Sequence, residues 1–87
     1  MIISVELSLY PLTDEYIPPI KTFIEQLKTH KDVDVITNTM NTQLYGEFDA
    51  VMRTVEQVLK NSFETYGHQV LVAKFLNSDR HPSRMDN

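Results

Sequence analysis

From Ile3 to Tyr10 the chain alternates, with Ile3, Val5, Leu7 and Leu9 apolar and Ser4, Glu6, Ser8 and Tyr10 between them. A period of two predicts a strand with one face turned to a core and one turned away. Pro11 ends the pattern, and Thr13 or Asp14 has the chemistry of a helix cap. Tyr16, Ile17, Ile20, Phe23, Ile24 and Leu27 then recur at spacings of three and four, which predicts an amphipathic helix. Pro18 and Pro19 fit only a first turn, so the regular helix is expected to begin a few residues after the cap. Its end is expected near His30 to Lys31. Val33 to Thr39 is rich in β-branched residues and predicts a second strand, and Gln43 to Phe48 a third. The two form a hairpin turning near Met40 to Thr42, with no Asn-Gly or Asp-Gly pair to set its register.

In the third strand Leu44 and Phe48 share one face and Gln43, Tyr45 and Glu47 the other, while Gly46 signals close approach by another group. Asp49 is the expected cap of a second helix whose stripe is Met52, Val55, Leu59, Phe63 and Tyr66, joined by Val51 and Val58. Gly67 is placed to stop it. Gln69 to Leu76 reads as a fourth strand, and Asn77 to Asn87, polar and containing Pro82, as a loose tail. The order is βαββαβ, without repeat or linker. It predicts an α+β domain over residues 1–76 with a polar tail at 77–87. The usual solution is a four-stranded antiparallel sheet with both helices on one face.

Composition narrows the function classes. With 87 residues there is one domain and a thin stability margin, and with no cysteine neither a disulfide nor a thiolate metal site adds to it. Oligomerisation is the remaining common source of buried area. A net charge of −4 argues against nucleic acid as a partner. No apolar run approaches the ~20 residues of a membrane span, and no signal pattern opens the chain, so a cytoplasmic protein is expected.

If both helices cover one sheet face, the other carries Ser4, Glu6, Ser8, Tyr10, Gln43, Tyr45 and Glu47. Such a face is either solvated or a pairing surface with polar pockets. His30, His68 and His81 show no metal spacing, and two glycines do not build a phosphate loop. Ser4 and Ser8 have no evident histidine base. Met40 is a core residue or sits at the mouth of a pocket.

The run Val5-Glu6-Leu7-Ser8-Leu9-Tyr10-Pro11-Leu12 resembles the first strand of the thiamine-binding YkoF-like family. Thr37-Asn38-Thr39-Met40-Asn41-Thr42-Gln43-Leu44-Tyr45-Gly46-Glu47 resembles its hairpin and third strand, with Thr42, Leu44 and Gly46 in the family's positions and Asn41 replacing the usual small residue. Asp49-Ala50-Val51-Met52 is similar to its second-helix start. The resemblance covers residues 2 to about 76 and implies a ferredoxin-like fold. It implies a single-domain member that associates through its sheets as a dimer of dimers and binds thiamine or hydroxymethylpyrimidine without catalysis. No other cofactor is implied.

Glu6 or Glu47 suits the ligand's charge or amine. Ser8, Asn38 and Thr42, with Thr37 beside them in the motif, suit ring nitrogens or the hydroxyl, and Tyr10 or Tyr45 suits stacking. Two other classes stay open: a regulatory or assembly module of the same fold that binds another metabolite, and an enzyme. Acylphosphatase-like chemistry would want a glycine-rich anion loop with an arginine after the first strand, where this chain has Pro11-Leu12-Thr13-Asp14.

Overall fold

The computed structural model describes residues 1–85. Its elements are β1 (Ile2–Pro11), α1 (Ile17–Leu27), β2 (Asp34–Thr37), β3 (Thr42–Glu47), α2 (Phe48–Tyr66) and β4 (Gln69–Leu76), followed by a single 3-10 turn at Pro82–Arg84. The strands form one antiparallel sheet in the order β2-β3-β1-β4. This is the ferredoxin-like arrangement. The alternation read in β1 holds: Ile3, Val5 and Leu7 are buried with Leu44 of β3 against Phe23 and Leu27 of α1 and Val51, Val55 and Val58 of α2.

Several boundaries differ from expectation for identifiable reasons. Neither Thr13 nor Asp14 caps α1; Tyr16 is its N-cap, without a side-chain bond, and both prolines fall in the first turn, where no amide is required. The helix stops at Leu27, short of His30. There the Thr29 amide (3.1 Å) and hydroxyl (2.7 Å) both donate to the Gln26 carbonyl and tighten the chain out of α-helical register. At α2 the cap is Glu47 in extended conformation, not Asp49, because the Phe48 amide donates to the Met1 carbonyl at 2.9 Å and the helix begins one strand residue early. Phe48 therefore belongs to α2 rather than to β3.

The interior stripe of α2 is Val51, Thr54, Val55, Val58 and Ser62, which leaves Met52 and Phe63 exposed. Two hydroxyl residues take interior positions because each is satisfied: Thr54 Oγ1 donates to the Ala50 carbonyl (2.9 Å) and Ser62 Oγ to Gln69 Oε1 (3.0 Å). Gly67 ends the helix at φ 81° as expected. The close approach at Gly46 is real and lies on the helix side. A Cβ there would meet the Asp32 carbonyl at 3.2 Å and the Val33 and Val51 side chains at 3.4 Å.

Residues 86 and 87 of the expected tail lie outside the described residues, and the described part, 77–85, is not loose. It folds back across the open sheet face, where Ser4 Oγ donates to the Ser78 carbonyl and accepts from the Arg80 amide, each at 2.7 Å. His81 packs edge-on against Tyr45 with ring centroids 4.9 Å apart. Arg84 pairs with Asp79 and lies 3.5 Å from Asp34 of β2. Composition alone reads this stretch as solvated, and the partners that hold it are distant in sequence.

Candidate functional site

The site follows from unequal strand lengths. On one side β1 is paired with β4 as far as Pro11↔Gln69; on the other, β3 stops at Leu7↔Thr42. Over Ser8–Tyr10 the β3-side edge of β1 therefore has no strand beside it, and the backbone polar groups on that edge require water or a ligand. Helix α1 covers the gap with Ile20, Phe23 and Ile24, and the β2–β3 turn closes its end. The cavity left there measures ≈ 190 Å³ and is lined by residues 7–10 and 37–42 with those three α1 side chains. None of the residues lining it is charged.

The turn is built by Asn38. Its Oδ1 accepts from the Met40 amide (2.8 Å) and the Asn41 amide (3.0 Å), while its own amide donates to the Asn41 carbonyl (3.1 Å). This Asx turn sets the register Thr37↔Thr42 that no Asn-Gly pair supplies. It also occupies Asn38 Oδ1, so toward a ligand Asn38 offers its amide NH₂ as donor. Thr37 and Thr42 face each other with hydroxyl oxygens 3.4 Å apart, and Thr42 is buried. Met40 stands at the mouth, 83% exposed. Ser8 and Tyr10 line the same cavity.

The other sequence candidates lie elsewhere. Glu6 and Tyr45 belong to a shallower hollow of ≈ 320 Å³ on the open face, with Ser4, Gln43, Lys74 and Leu76. The Glu6 carboxylate accepts a hydrogen bond from Asn41 Nδ2 and lies 3.4 Å from Lys74 Nζ. Tyr45 donates to Gln43 Oε1. Burial under the docked segment, and secondarily the Asp79 charge, push the Tyr45 phenol above its usual value. The Arg84 guanidinium holds the Asp79 carboxyl below its usual range, helped by the His81 amide, and Asp79 in turn raises Arg84.

Glu47 is not brought to the cavity. It ends β3 five residues from Thr42, roughly 17 Å along a strand, with its carboxylate 2.9 Å from the Met1 ammonium. Asn41, whose amide and carbonyl both bond to Asn38 in the turn, was not among the sequence candidates. The signal was present: two asparagines three residues apart between strand patterns are an Asx-turn signature.

The YKOF-related family matches residues 2–83, past β4 and through most of the docked segment. The chain belongs to this family. Solved structures agree on the fold. A Streptococcus pneumoniae protein superposes with a TM-score of 0.84 at 26% identity, covering 92% of this chain and 90% of its own. A hypothetical protein of Methanocaldococcus jannaschii does so at 0.77 and 23% identity, covering 92% and 84%. A Thermotoga maritima protein named a "putative thiamine biosynthesis/salvage protein" reaches 0.80 at 18% identity, covering 90% and 85%. No curated protein sequence matches this YKOF-related chain. No helix among the described residues is long and apolar enough to cross a membrane.

Proposed function

We propose that this protein binds thiamine through its hydroxymethylpyrimidine part, or binds the free pyrimidine, and does no chemistry on it. The observation that carries the reading is the uncharged cavity at the unpaired edge of β1, in a member of a family whose fold is shared by the Thermotoga maritima protein named for thiamine biosynthesis or salvage. At ≈ 190 Å³ it is smaller than the ~300–1,000 Å³ of sites that enclose a drug-sized ligand, and suits one substituted ring. The β1 edge, the Thr37 and Thr42 hydroxyls and the Asn38 amide offer donors and acceptors to an aminopyrimidine, between the Phe23 ring and the aliphatic side chains of α1. The thiazolium of thiamine would then lie toward Tyr10 and Met40 at the mouth.

A diphosphate finds little here. No lysine or arginine lines the cavity, and Pro18 and Pro19 remove two of the first amides of α1, the groups that otherwise make a helix start an anion site. No other cofactor is needed for binding, and we place the protein in the cytoplasm. On the open face Tyr10, Val70 and Val72 form an exposed apolar strip that the docked segment leaves bare, which supports sheet-to-sheet association into a dimer of dimers.

Calorimetry tests the ligand. Hydroxymethylpyrimidine and thiamine are expected to bind, and thiamine pyrophosphate more weakly. No heat from the first two at millimolar concentration refutes the reading, and equal or tighter binding of the pyrophosphate refutes the ranking. Light scattering tests the assembly: a 10.1 kDa monomer at micromolar concentration overturns it.

A further inference from the structure

Four polar side chains form a row across the open face. Tyr45 Oη donates to Gln43 Oε1, Gln43 Nε2 to Asn41 Oδ1 at 3.4 Å, and Asn41 Nδ2 to the Glu6 carboxylate. One end is fixed by the docked segment, where Tyr45 is 5% exposed beneath His81. The other end is Glu6, which accepts from Asn41, last residue of the turn that closes the cavity. Glu6 and Gln43 are directly opposite one another on β1 and β3, so the paired sheet holds both rigidly. Residues 38–41, by contrast, are tied among themselves only by the bonds around Asn38.

We propose that Glu6 is a positioning residue: through Asn41 it holds the 38–41 turn as a fixed lip of the cavity, and it does not touch the ligand. Gln43 and Tyr45 carry the same restraint to the C-terminal segment. The chemistry separates this role from direct contact. A carboxylate that neutralises a thiazolium or takes an amine proton must be free on the cavity side. The Glu6 carboxylate is instead shared between the Asn41 amide and the Lys74 ammonium, in the open-face hollow. A ligand affinity that depends on Glu6 then reflects the order of the lip, since a binding-competent arrangement populated only part of the time weakens binding by that fraction.

The inference rests on reading the cavity as the pyrimidine site, and the test separates the two. Glu6→Gln keeps an oxygen to accept from Asn41; Glu6→Ala removes it. Amide hydrogen exchange at Met40 and Asn41 is measured without ligand, and the Kd for hydroxymethylpyrimidine by calorimetry. In the Ala variant, exchange at both amides should rise about tenfold and affinity fall about tenfold, the scale of one lost hydrogen bond to a charged group. In the Gln variant, which keeps the acceptor without its charge, both changes should be clearly smaller than in the Ala variant. Equal losses of affinity in Gln and Ala with unchanged exchange would make Glu6 a ligand contact and overturn the proposal. Unchanged exchange in the Ala variant overturns it whatever the affinity does. If the parent protein does not bind hydroxymethylpyrimidine, the reading of the cavity falls. The exchange arm still decides whether Glu6 holds the turn: a rise in the Ala variant upholds that role, and no rise ends it.

Discussion

Replacing Ser4 by Ala should release the C-terminal segment while leaving the fold intact. Ser4 is 8% exposed, and its hydroxyl both donates to the Ser78 carbonyl and accepts from the Arg80 amide. Each such bond contributes about 0.5–1.5 kcal/mol net, so docking should weaken by about 1–3 kcal/mol. That corresponds to a rise of roughly 5- to 150-fold in the open fraction of the segment. The contacts of His81 with Tyr45 and of Arg84 with Asp34 remain and keep it from opening fully. Trypsin reads the change directly, since Arg80 and Arg84 both lie in the segment and cleavage follows the open population when reclosing is fast. Cleavage at Arg80 should accelerate by at least several-fold, while the unfolding midpoint stays within a few degrees. Because the segment is what buries Tyr45, the phenol should also move back toward its ordinary pKa. Unchanged cleavage and an unchanged phenol would show that the Ser4 bonds contribute nothing to docking. A large fall in midpoint would show that the segment is part of the core.

Acid should loosen the same segment. Arg84 holds the Asp79 pKa below its unfolded value of about 3.9, so Asp79 favours the folded state above that value and loses its contribution as pH falls through its lower folded value. Protection of the Arg80 amide from hydrogen exchange should be lost only below about pH 4; a loss centred near pH 6 would assign the change to another group. At the alkaline end the raised Tyr45 pKa means that its stabilising burial persists below the ordinary phenol value of about 10 and is lost above it, readable by ultraviolet titration. Glu47→Gln should leave ligand affinity unchanged and cost at most about 1 kcal/mol of stability, because it removes an exposed pair with the Met1 ammonium at the far end of β3. A measurable loss of affinity would return Glu47 to the site.

What the sequence made legible follows the physics of each signal. Element order and type came from periodicity, and periodicity is enforced by burial. Ile3, Val5, Leu7, Phe23, Leu27 and Leu44 were readable because each fills the same interior. The α2 stripe was misread where Thr54 and Ser62 displaced Met52 and Phe63, since hydrophobicity scales do not register a hydroxyl satisfied by a local carbonyl or a single glutamine. Of the site candidates, Ser8, Tyr10, Thr37, Asn38 and Thr42 were brought together because the hairpin register follows from a local turn. Glu6, Tyr45 and Glu47 were grouped with them only by face. A face extends the length of the strand, and a shared face does not imply shared position along it. The docked segment was illegible for a different reason: the bonds that tie it to the sheet join residues far apart in sequence, as those of Ser4 with Ser78 and Arg80 do.

The two halves of the open face therefore have different uses. At the Ser4–Tyr45 end the chain covers its own sheet with Ser78–Arg84, and a polar, partly charged contact takes the place a second sheet would fill. At the Tyr10 end nothing in the described chain covers the strip, and the apolar side chains Val70 and Val72 stand about half exposed, at 46% and 48%. Tyr10 faces Val70 across the β1–β4 pair and also lines the cavity. On the function proposed above, a ring that sits at the cavity mouth and in the exposed strip would join ligand and association in one place. Anything that orders Tyr10 from the cavity side reduces the side-chain entropy left to lose when a second sheet packs on it. By reciprocity, packing on Tyr10 favours the ligand to the same extent. The coupling is limited to what one aromatic side chain supplies, because Tyr10 alone of the strip residues Tyr10, Val70 and Val72 also lines the cavity.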